Sequence, residues 1–152
     1  MKKYLPLGSI VILKEGEKAI MIYGRKQLHS ETNEEFDYVI CNHVLEHVVD
    51  DIKALTEINR ILKPNGKAII TVPISHRLEV THEELTSSEQ ERLALYGQED
   101  HVRRYGMDFP ARMRKAGFEV KSYSTSDIVP SDMVERYALR GRETVFEGRK
   151  IG

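Results

Sequence analysis

The sequence predicts an α/β protein in three layers, with helices on both faces of a sheet, preceded by a β-hairpin. Two observations support this fold class. Phe36–Pro73 has the pattern of a complete strand, turn, helix, turn and strand unit. Helices and strands continue to alternate along the rest of the chain, with predicted helices over Glu89–Tyr96 (after a serine cap at Ser87-Ser88), Phe109–Ala116 and Ser131–Leu139 and predicted strands over Phe118–Ser124 and Thr144–Lys150. Such alternation is typical of α/β domains.

The unit over Phe36–Pro73 is predicted because the spacing of its apolar residues changes from that of a strand to that of a helix and back. Phe36–Cys41 is a short run of aromatic and β-branched residues, which indicates a buried strand. From Val48, apolar residues recur at spacings of three and four, at Ile52, Leu55, Ile58, Ile61 and Leu62. Pro64-Asn65-Gly66 ends this helix, and the apolar strand Ala68–Val72 follows. We therefore expect a βαβ crossover between parallel strands.

The first part of the chain has a different character. Ser9–Lys14 and Lys18–Tyr23 are β-rich runs on either side of Gly16, which predicts an antiparallel hairpin. A polar, acidic linker follows the second run. We therefore expect two parts, a hairpin with its linker over residues 1–34 and an α/β domain over residues 35–152.

Composition limits the classes of function. Lys and Arg number 23 against 24 acidic residues, so the net charge of −1 gives no basic field that would attract nucleic acid. Cys41 is the single cysteine and cannot form an internal disulfide. No apolar run approaches the roughly 20 residues that span a bilayer, and Pro6 interrupts any signal-like segment. We expect a cytoplasmic protein that binds neither nucleic acid nor membrane.

The segment His43–His47 matches the His-x-x-Glu-His signature of inverted zinc proteases, in which two histidines bind zinc and the glutamate activates water. The match follows a strand directly, whereas the signature belongs inside a long helix, so we expect no metal. For His47, a packed or helix-capping side chain and a functional role remain open alternatives.

The central segment FDYVICNHVLEHV, the helix DDIKALTEINRILKPNG and the strand KAIITVP resemble the fourth and fifth strands of class I S-adenosylmethionine-dependent methyltransferases of type 11. The resemblance continues through Asp100–Gly106 and Phe109–Phe118. It implies a Rossmann-like methyltransferase domain. The opening YLPLGSIVILKEGEKAIMIYGRKQ instead resembles the start of a small uncharacterised bacterial family.

Two cofactor-binding features of that methyltransferase family are missing from the sequence. No Gly-x-Gly occurs in it, and no acidic residue follows a second strand that would hold the ribose. About 35 residues precede the strand that resembles the fourth, too few for three βα units of roughly 30 residues each. We therefore expect only the C-terminal half of the fold, with weak or lost binding of S-adenosylmethionine.

The resemblance also implies site residues. The loop after the fourth strand lines the methionine side of the cofactor in the family, which assigns cofactor binding to Cys41, Asn42, His43 and Val44. Residues implied to face a small-molecule acceptor are His76, Arg77, His101, Arg104 and Tyr105. Arg103 or Arg104 could clamp an anionic group or be solvated surface. No catalytic base is identified, and Cys41 is expected to be a buried hydrophobe.

Two functions remain open at this point. One is methyl transfer to a small molecule, with a second chain completing the cofactor site. The other is a non-catalytic binding or assembly module that has lost the cofactor. In both, the strand Phe36–Cys41 has no first strand beside it, so its exposed edge predicts either an added hairpin or, as we favour, a homodimer.

Overall fold

The structure is a computed structural model that describes residues 10–12, 19–21, 35–84, 88–124, 127, 130 and 143–152. The chain divides into two compact units, residues 1–34 and residues 35–152. The described strands are β1 (Ile10–Ile12), β2 (Ala19–Met21), β3 (Phe36–Asn42), β4 (Leu62–Thr71), β5 (His82–Glu83), β6 (Arg103–Arg104), β7 (Phe118–Ser124) and β8 (Thr144–Lys150). The described helices are a 3-10 turn (Leu45–His47), α1 (Asp51–Ile61), α2 (Glu89–Tyr96) and α3 (Phe109–Lys115).

The first unit contains the predicted hairpin strands. β1 pairs with β2 in antiparallel register, with Ile10 opposite Met21 and Ile12 opposite Ala19. This pairing confirms the expectation of two antiparallel strands. The turn expected at Gly16 and the linker that follows β2 up to residue 34 lie outside the described residues.

The second unit is built on a sheet with the strand order β3-β4-β8-β7. β3 and β4 are parallel, as the crossover pattern predicts, whereas β8 is antiparallel to both β4 and β7. The α/β half-domain with a central sheet is therefore confirmed. In the described part of the chain β3 has β4 as its only neighbour, so it forms one edge of this sheet.

Strand β4 begins earlier than the sequence predicts. The expected strand Ala68–Val72 is observed as Leu62–Thr71, which includes Pro64 and Asn65. Its pairing with β3 shifts register between Phe36, opposite Leu62, and Tyr38, opposite Lys67. Asn65 has a φ of 64°, so residues 63–66 form an irregular excursion within an extended strand rather than a separate turn.

The helices agree closely with the predicted segments. α1 begins at Asp51 rather than at Val48, because the Asp50 carboxylate caps it by accepting from the Lys53 N–H at 2.9 Å. α2 starts with a capping box between Ser88 and Glu91, which confirms the predicted serine cap. A helix expected over 131–139 lies outside the described residues. Among the described helices, none has the length and hydrophobicity needed to cross a membrane.

The core lies on one face of the sheet. Leu55 of α1 and Phe109 and Met113 of α3 are completely buried against Ala68, Ile70, Phe118 and Phe146 of the strands. Gly148 is required beneath α3, because a Cβ there would lie 2.8 Å from both Met113 Cε and Phe118 Cδ1. On the other face Tyr38 and Ile40 of β3 are each 66% exposed, so the described helices leave this part of the sheet open.

Candidate functional site

The loop after β3 is held against the end of β4. The N–H of His43 donates to the carbonyl oxygen of Thr71 at 3.0 Å, and the Thr71 hydroxyl donates to Asn42 Oδ1 at 3.2 Å. His43 has a φ of 50°, an uncommon left-handed conformation for a residue with a side chain. The carboxyl ends of two parallel strands thus meet at a strained turn, where open α/β sheets bind ligands.

The four residues assigned to the cofactor differ in their surroundings. Asn42 and His43 are exposed, and Val44 is 46% exposed. Cys41 is only 9% exposed, and burial followed by the nearby charge of Glu46 raises the pKa of its thiol to about 11. A thiol that holds its proton at neutral pH is a poor nucleophile, which agrees with its interpretation as a small buried hydrophobe.

The ring of His43 contacts two carboxylates of the same chain. Its Nδ1 lies 3.2 Å from Glu46 Oε1 and its Nε2 lies 2.9 Å from Glu143 Oε1. Both ring nitrogens therefore face carboxylates, and His43 does not join His47 in the arrangement that the inverted zinc-protease signature requires.

The segment 101–105 packs directly beside this loop. The Val102 N–H donates to the Glu46 carbonyl at 2.9 Å, and the Ser75 N–H donates to the Tyr105 carbonyl at 2.8 Å. These backbone bonds bring the 3-10 turn after β3, the chain after β4 and segment 101–105 together at the carboxyl ends of the strands.

Arg103 is neither solvated surface nor a free anion clamp. It is 1% exposed, and its guanidinium donates to the carbonyl of Leu45 at 2.6 Å, to that of Val49 at 2.8 Å and also to that of Val48. Its Nε donates to Glu83 at 2.9 Å. Both alternatives left open for Arg103 by the sequence are therefore wrong, because three backbone carbonyls of the loop and one carboxylate use its donors.

The buried carboxylate of Asp51 connects helices α1 and α3 with segment 101–105. Asp51, 2% exposed, accepts two hydrogen bonds from Arg112, at 2.8 and 2.6 Å, and one from the Tyr105 hydroxyl at 2.9 Å. Burial alone would raise the pKa of Asp51, but these hydrogen bonds and the charges of Arg103 and Arg112 outweigh it and hold the pKa below its ordinary value.

The residues expected to face an acceptor do not all come together. Tyr105 is fully buried in the core, and burial raises the pKa of its hydroxyl far above the ordinary value. His76 and Arg77 are exposed on the loop after β4. His101 and Arg104 both line a cavity of about 310 Å³, whose other lining residues are Pro73, Ile74, Ser75, Tyr96 and Arg103. The cavity therefore contains two of the five expected residues.

Glu46, His47 and His101 form a compact cluster next to this cavity. One ligand-type atom from each lies within 4.8 Å of the others. The rings of His47 and His101 meet edge to face with centroids 4.7 Å apart. Burial, followed by the charge of His47, lowers the pKa of His101, which favours its neutral imidazole.

Sequence reasoning missed the supporting residues Asp51, Arg112 and Glu83. An acidic residue in the first turn of a helix is accounted for by the helix dipole alone, so Asp51 did not stand out. Arg112 is 61 positions further along the chain, and that separation gives no local signal. The short helix α3 carries Arg112, Arg114 and Lys115, and their charge alone does not show which of them pairs with a buried carboxylate.

Two known protein sequences or families match parts of the chain. Residues 4–63 match the family described as Domain of unknown function (DUF4176). A segment of 37 residues is 60% identical to an uncharacterized protein of Methanocaldococcus jannaschii, and it spans 24% of this chain and 16% of that protein. Neither match names an activity.

Three solved structures resemble the chain in fold. A chain from the complex of the Haloferax volcanii Trm112 methyltransferase activator and a candidate methyltransferase has a TM-score of 0.52 at 21% identity, over 78% of this chain and 56% of that one. An O-methyltransferase family protein of Burkholderia thailandensis has a TM-score of 0.51 at 18% identity, over 78% and 31%. The 1,6-didemethyltoxoflavin-N1-methyltransferase of the same organism, with bound S-adenosylhomocysteine, has a TM-score of 0.51 at 19% identity, over 80% and 47%.

The chain therefore has a methyltransferase-like α/β fold over most of its length, and it spans at most 56% of the length of these three structures.

Proposed function

We propose that the protein is an S-adenosylmethionine-dependent methyltransferase acting on a small molecule, and that its site is completed by a second copy of the chain. The single observation that carries this proposal is the strained turn at His43, where β3 and β4 end side by side in a methyltransferase-like sheet. A neighbour with the same fold binds S-adenosylhomocysteine.

In this proposal the turn after β3 holds the methionine end of the cofactor. The Asn42 and His43 side chains are engaged by Thr71, Glu46 and Glu143, so the turn offers mainly its backbone and the exposed Val44 side chain. Contacts of this kind are few and favour weak binding. We place Cys41 in the site only through its backbone, because its thiol is buried.

The acceptor would occupy the cavity lined by His101 and Arg104. Its volume of about 310 Å³ lies at the lower end of the range for small-molecule sites. Arg104 is exposed and could pair with an anionic group of the acceptor, whereas Arg103 is held by the loop carbonyls. Methyl transfer from a sulfonium needs mainly alignment of donor and acceptor, which a rigid loop beside a cavity supports.

The second candidate function is a non-catalytic binding or assembly module. It is favoured by the same engagement of Asn42 and His43 within the chain, since side chains already paired are less available to a cofactor. The sequence also contains no Gly-x-Gly, the pattern of the loop that approaches the cofactor in the methyltransferases that the chain resembles. Cofactor binding distinguishes the two functions.

Calorimetric titration with S-adenosylhomocysteine tests the proposal. We expect binding to the unaltered protein with a dissociation constant weaker than about 1 µM, because the sequence contains no Gly-x-Gly loop that would let the backbone approach the cofactor. Val44→Asp should weaken it, because the substitution replaces an apolar contact of the ligand with a charged group that has to lose its water on binding. Val80→Asp is the matched control, since Val80 is also an exposed valine, at 69%, outside the cavity lining, and it should leave binding unchanged.

The opposite results would favour the other function. Absence of any heat of binding at millimolar ligand would point to the non-catalytic module. Submicromolar affinity would contradict a site that lacks the Gly-x-Gly loop. An equal loss of affinity in Val44→Asp and Val80→Asp would show that Val44 does not contact the ligand.

A further inference from the structure

We propose that Glu46, His47 and His101 form a binding site for a divalent transition-metal ion, and that Zn²⁺ is its best match. This trio differs from the zinc-protease signature, because His101 comes from a segment 54 positions along the chain from His47 and His43 is outside the cluster. The proposal does not depend on methyl transfer, and it is tested without cofactor.

The first argument is the state of the Glu46 carboxyl group. Glu46 is 1% exposed, and its Oε1 lies 3.2 Å from His43 Nδ1. Its Oε2 is buried and has no hydrogen-bond partner among the described residues. A buried carboxyl oxygen without a partner is costly whether it is ionised or protonated. A bound cation would satisfy it.

The second argument is the orientation of His47. Its Nδ1 lies 3.3 Å from the carbonyl oxygen of Asp100 and 3.3 Å from the carboxylate of the same residue. An Nδ1–H that donates to these oxygens leaves Nε2 as the unprotonated nitrogen, available to a metal. Carbonyl or carboxylate acceptors behind the ring are the usual supports of a metal-binding histidine.

The third argument is the spacing of the rings. Two imidazoles bound to one tetrahedral zinc at about 2.0–2.1 Å have centroids about 5 Å apart. The rings of His47 and His101 are 4.7 Å apart, at an interplanar angle of 83°. The ligand atoms, within 4.8 Å of one another, need to approach to about 3.4 Å, which small side-chain rotations provide.

The donor set determines which ion fits. Two imidazole nitrogens and one carboxylate oxygen suit Zn²⁺, whereas Mg²⁺ and Ca²⁺ prefer oxygen ligands alone. Three protein ligands leave a fourth tetrahedral position for water or for an oxygen of a small molecule. Because His101 also lines the cavity of about 310 Å³, that position would be near any molecule bound there.

Equilibrium dialysis of the chelator-treated full chain against Zn²⁺, followed by elemental analysis, tests the site. We expect one zinc per chain with a dissociation constant below about 1 µM, and a loss of affinity of about 100-fold or more in Glu46→Gln and in His101→Ala. His82→Ala is the matched control. His82 also pairs with a carboxylate, that of Glu84 at 3.3 Å, but it lies outside the cluster, so this variant should bind zinc normally.

Two further measurements need no disruptive variant. Co²⁺ bound to the unaltered protein should give the visible absorption of a tetrahedral nitrogen and oxygen site. Zn²⁺ should raise the melting temperature of the unaltered chain and not that of Glu46→Gln, whose circular dichroism shows whether it is folded. Absence of stoichiometric zinc in the unaltered protein would overturn the proposal, as would unchanged zinc affinity in Glu46→Gln and His101→Ala or an equal loss of affinity in His82→Ala.

Discussion

Replacing Asp51 with alanine is expected to lower the free energy of unfolding by about 3–5 kcal/mol, measured by urea denaturation. The substitution removes the nearer of the two carboxylates that pair with Arg112, which is 15% exposed and keeps only Glu83 at 3.3 Å, and it removes the Asp51 acceptor of the buried Tyr105 hydroxyl. A charge that stays buried after its partner is removed is the costly case. The loop that carries Glu46 and His47 packs beside this network, so the loss also loosens the candidate site.

Glu57→Ala is the matched control for burial. Glu57 and Arg60 lie in the same helix as Asp51, and their ion pair has the same 2.8 Å distance as the Arg112 Nε bond to Asp51, but both side chains are more than half exposed. An exposed pair contributes about 0–1 kcal/mol. Equal losses in the free energy of unfolding for Asp51→Ala and Glu57→Ala would show that the buried Asp51 network stabilises the protein no more than an exposed ion pair does.

The Asp51 effect should also depend on pH. The folded-state pKa of Asp51 lies below the unfolded value of about 3.9, so the folded protein favours the ionised carboxylate. Its contribution to stability is therefore complete above about pH 5 and is lost progressively as the pH falls through the folded-state pKa. The stability difference between the unaltered protein and Asp51→Asn should shrink in that acidic range and stay constant from pH 6 to pH 8.

The second large effect concerns assembly. We expect the chain to be a homodimer at micromolar concentration by light scattering, burying at least about 1,000 Å². β3 is an edge strand among the described residues, and Tyr38 and Ile40 beside that edge are each 66% exposed. Replacing both with lysine should give a monomer, because charged side chains prevent an edge from pairing.

The control for this prediction is a second pair of lysines. Val80 and Leu93 are 69% and 55% exposed and lie outside the sheet of the second unit, so lysine at both should leave the dimer intact. A monomeric unaltered chain would refute the dimer directly. Dissociation of the Val80 and Leu93 variant as well would show that the β3 edge is not the interface.

The sheet and its helices could be predicted because their signals are local. The apolar spacing from Ile52 to Ile61 and the cap at Ser88 determine elements over stretches shorter than about a dozen residues. The start of β4 was missed because Pro64-Asn65-Gly66 is a strong turn signal. Here pairing with β3 on both sides of the excursion overrides it.

The site was predicted less completely because its contacts are distant in sequence. His101 was singled out, but no spacing could place it beside Glu46 and His47. Arg103 looked like solvated surface because a sequence does not show that the carbonyls of Leu45 and Val49 converge on it. Tyr105 is the opposite case. It was expected to face an acceptor, but its hydroxyl is buried and donates a hydrogen bond to the carboxylate of Asp51.

The assignment of the turn after β3 to the cofactor is tested most directly by two-dimensional amide NMR of the full chain during titration with S-adenosylhomocysteine. The account predicts saturable shifts concentrated at the amides of Cys41, Asn42, His43 and Val44, with smaller shifts near Thr71, which the His43 N–H contacts at 3.0 Å. Unchanged amides in this turn at about 1 mM ligand, or shifts confined to another part of the chain, would contradict it.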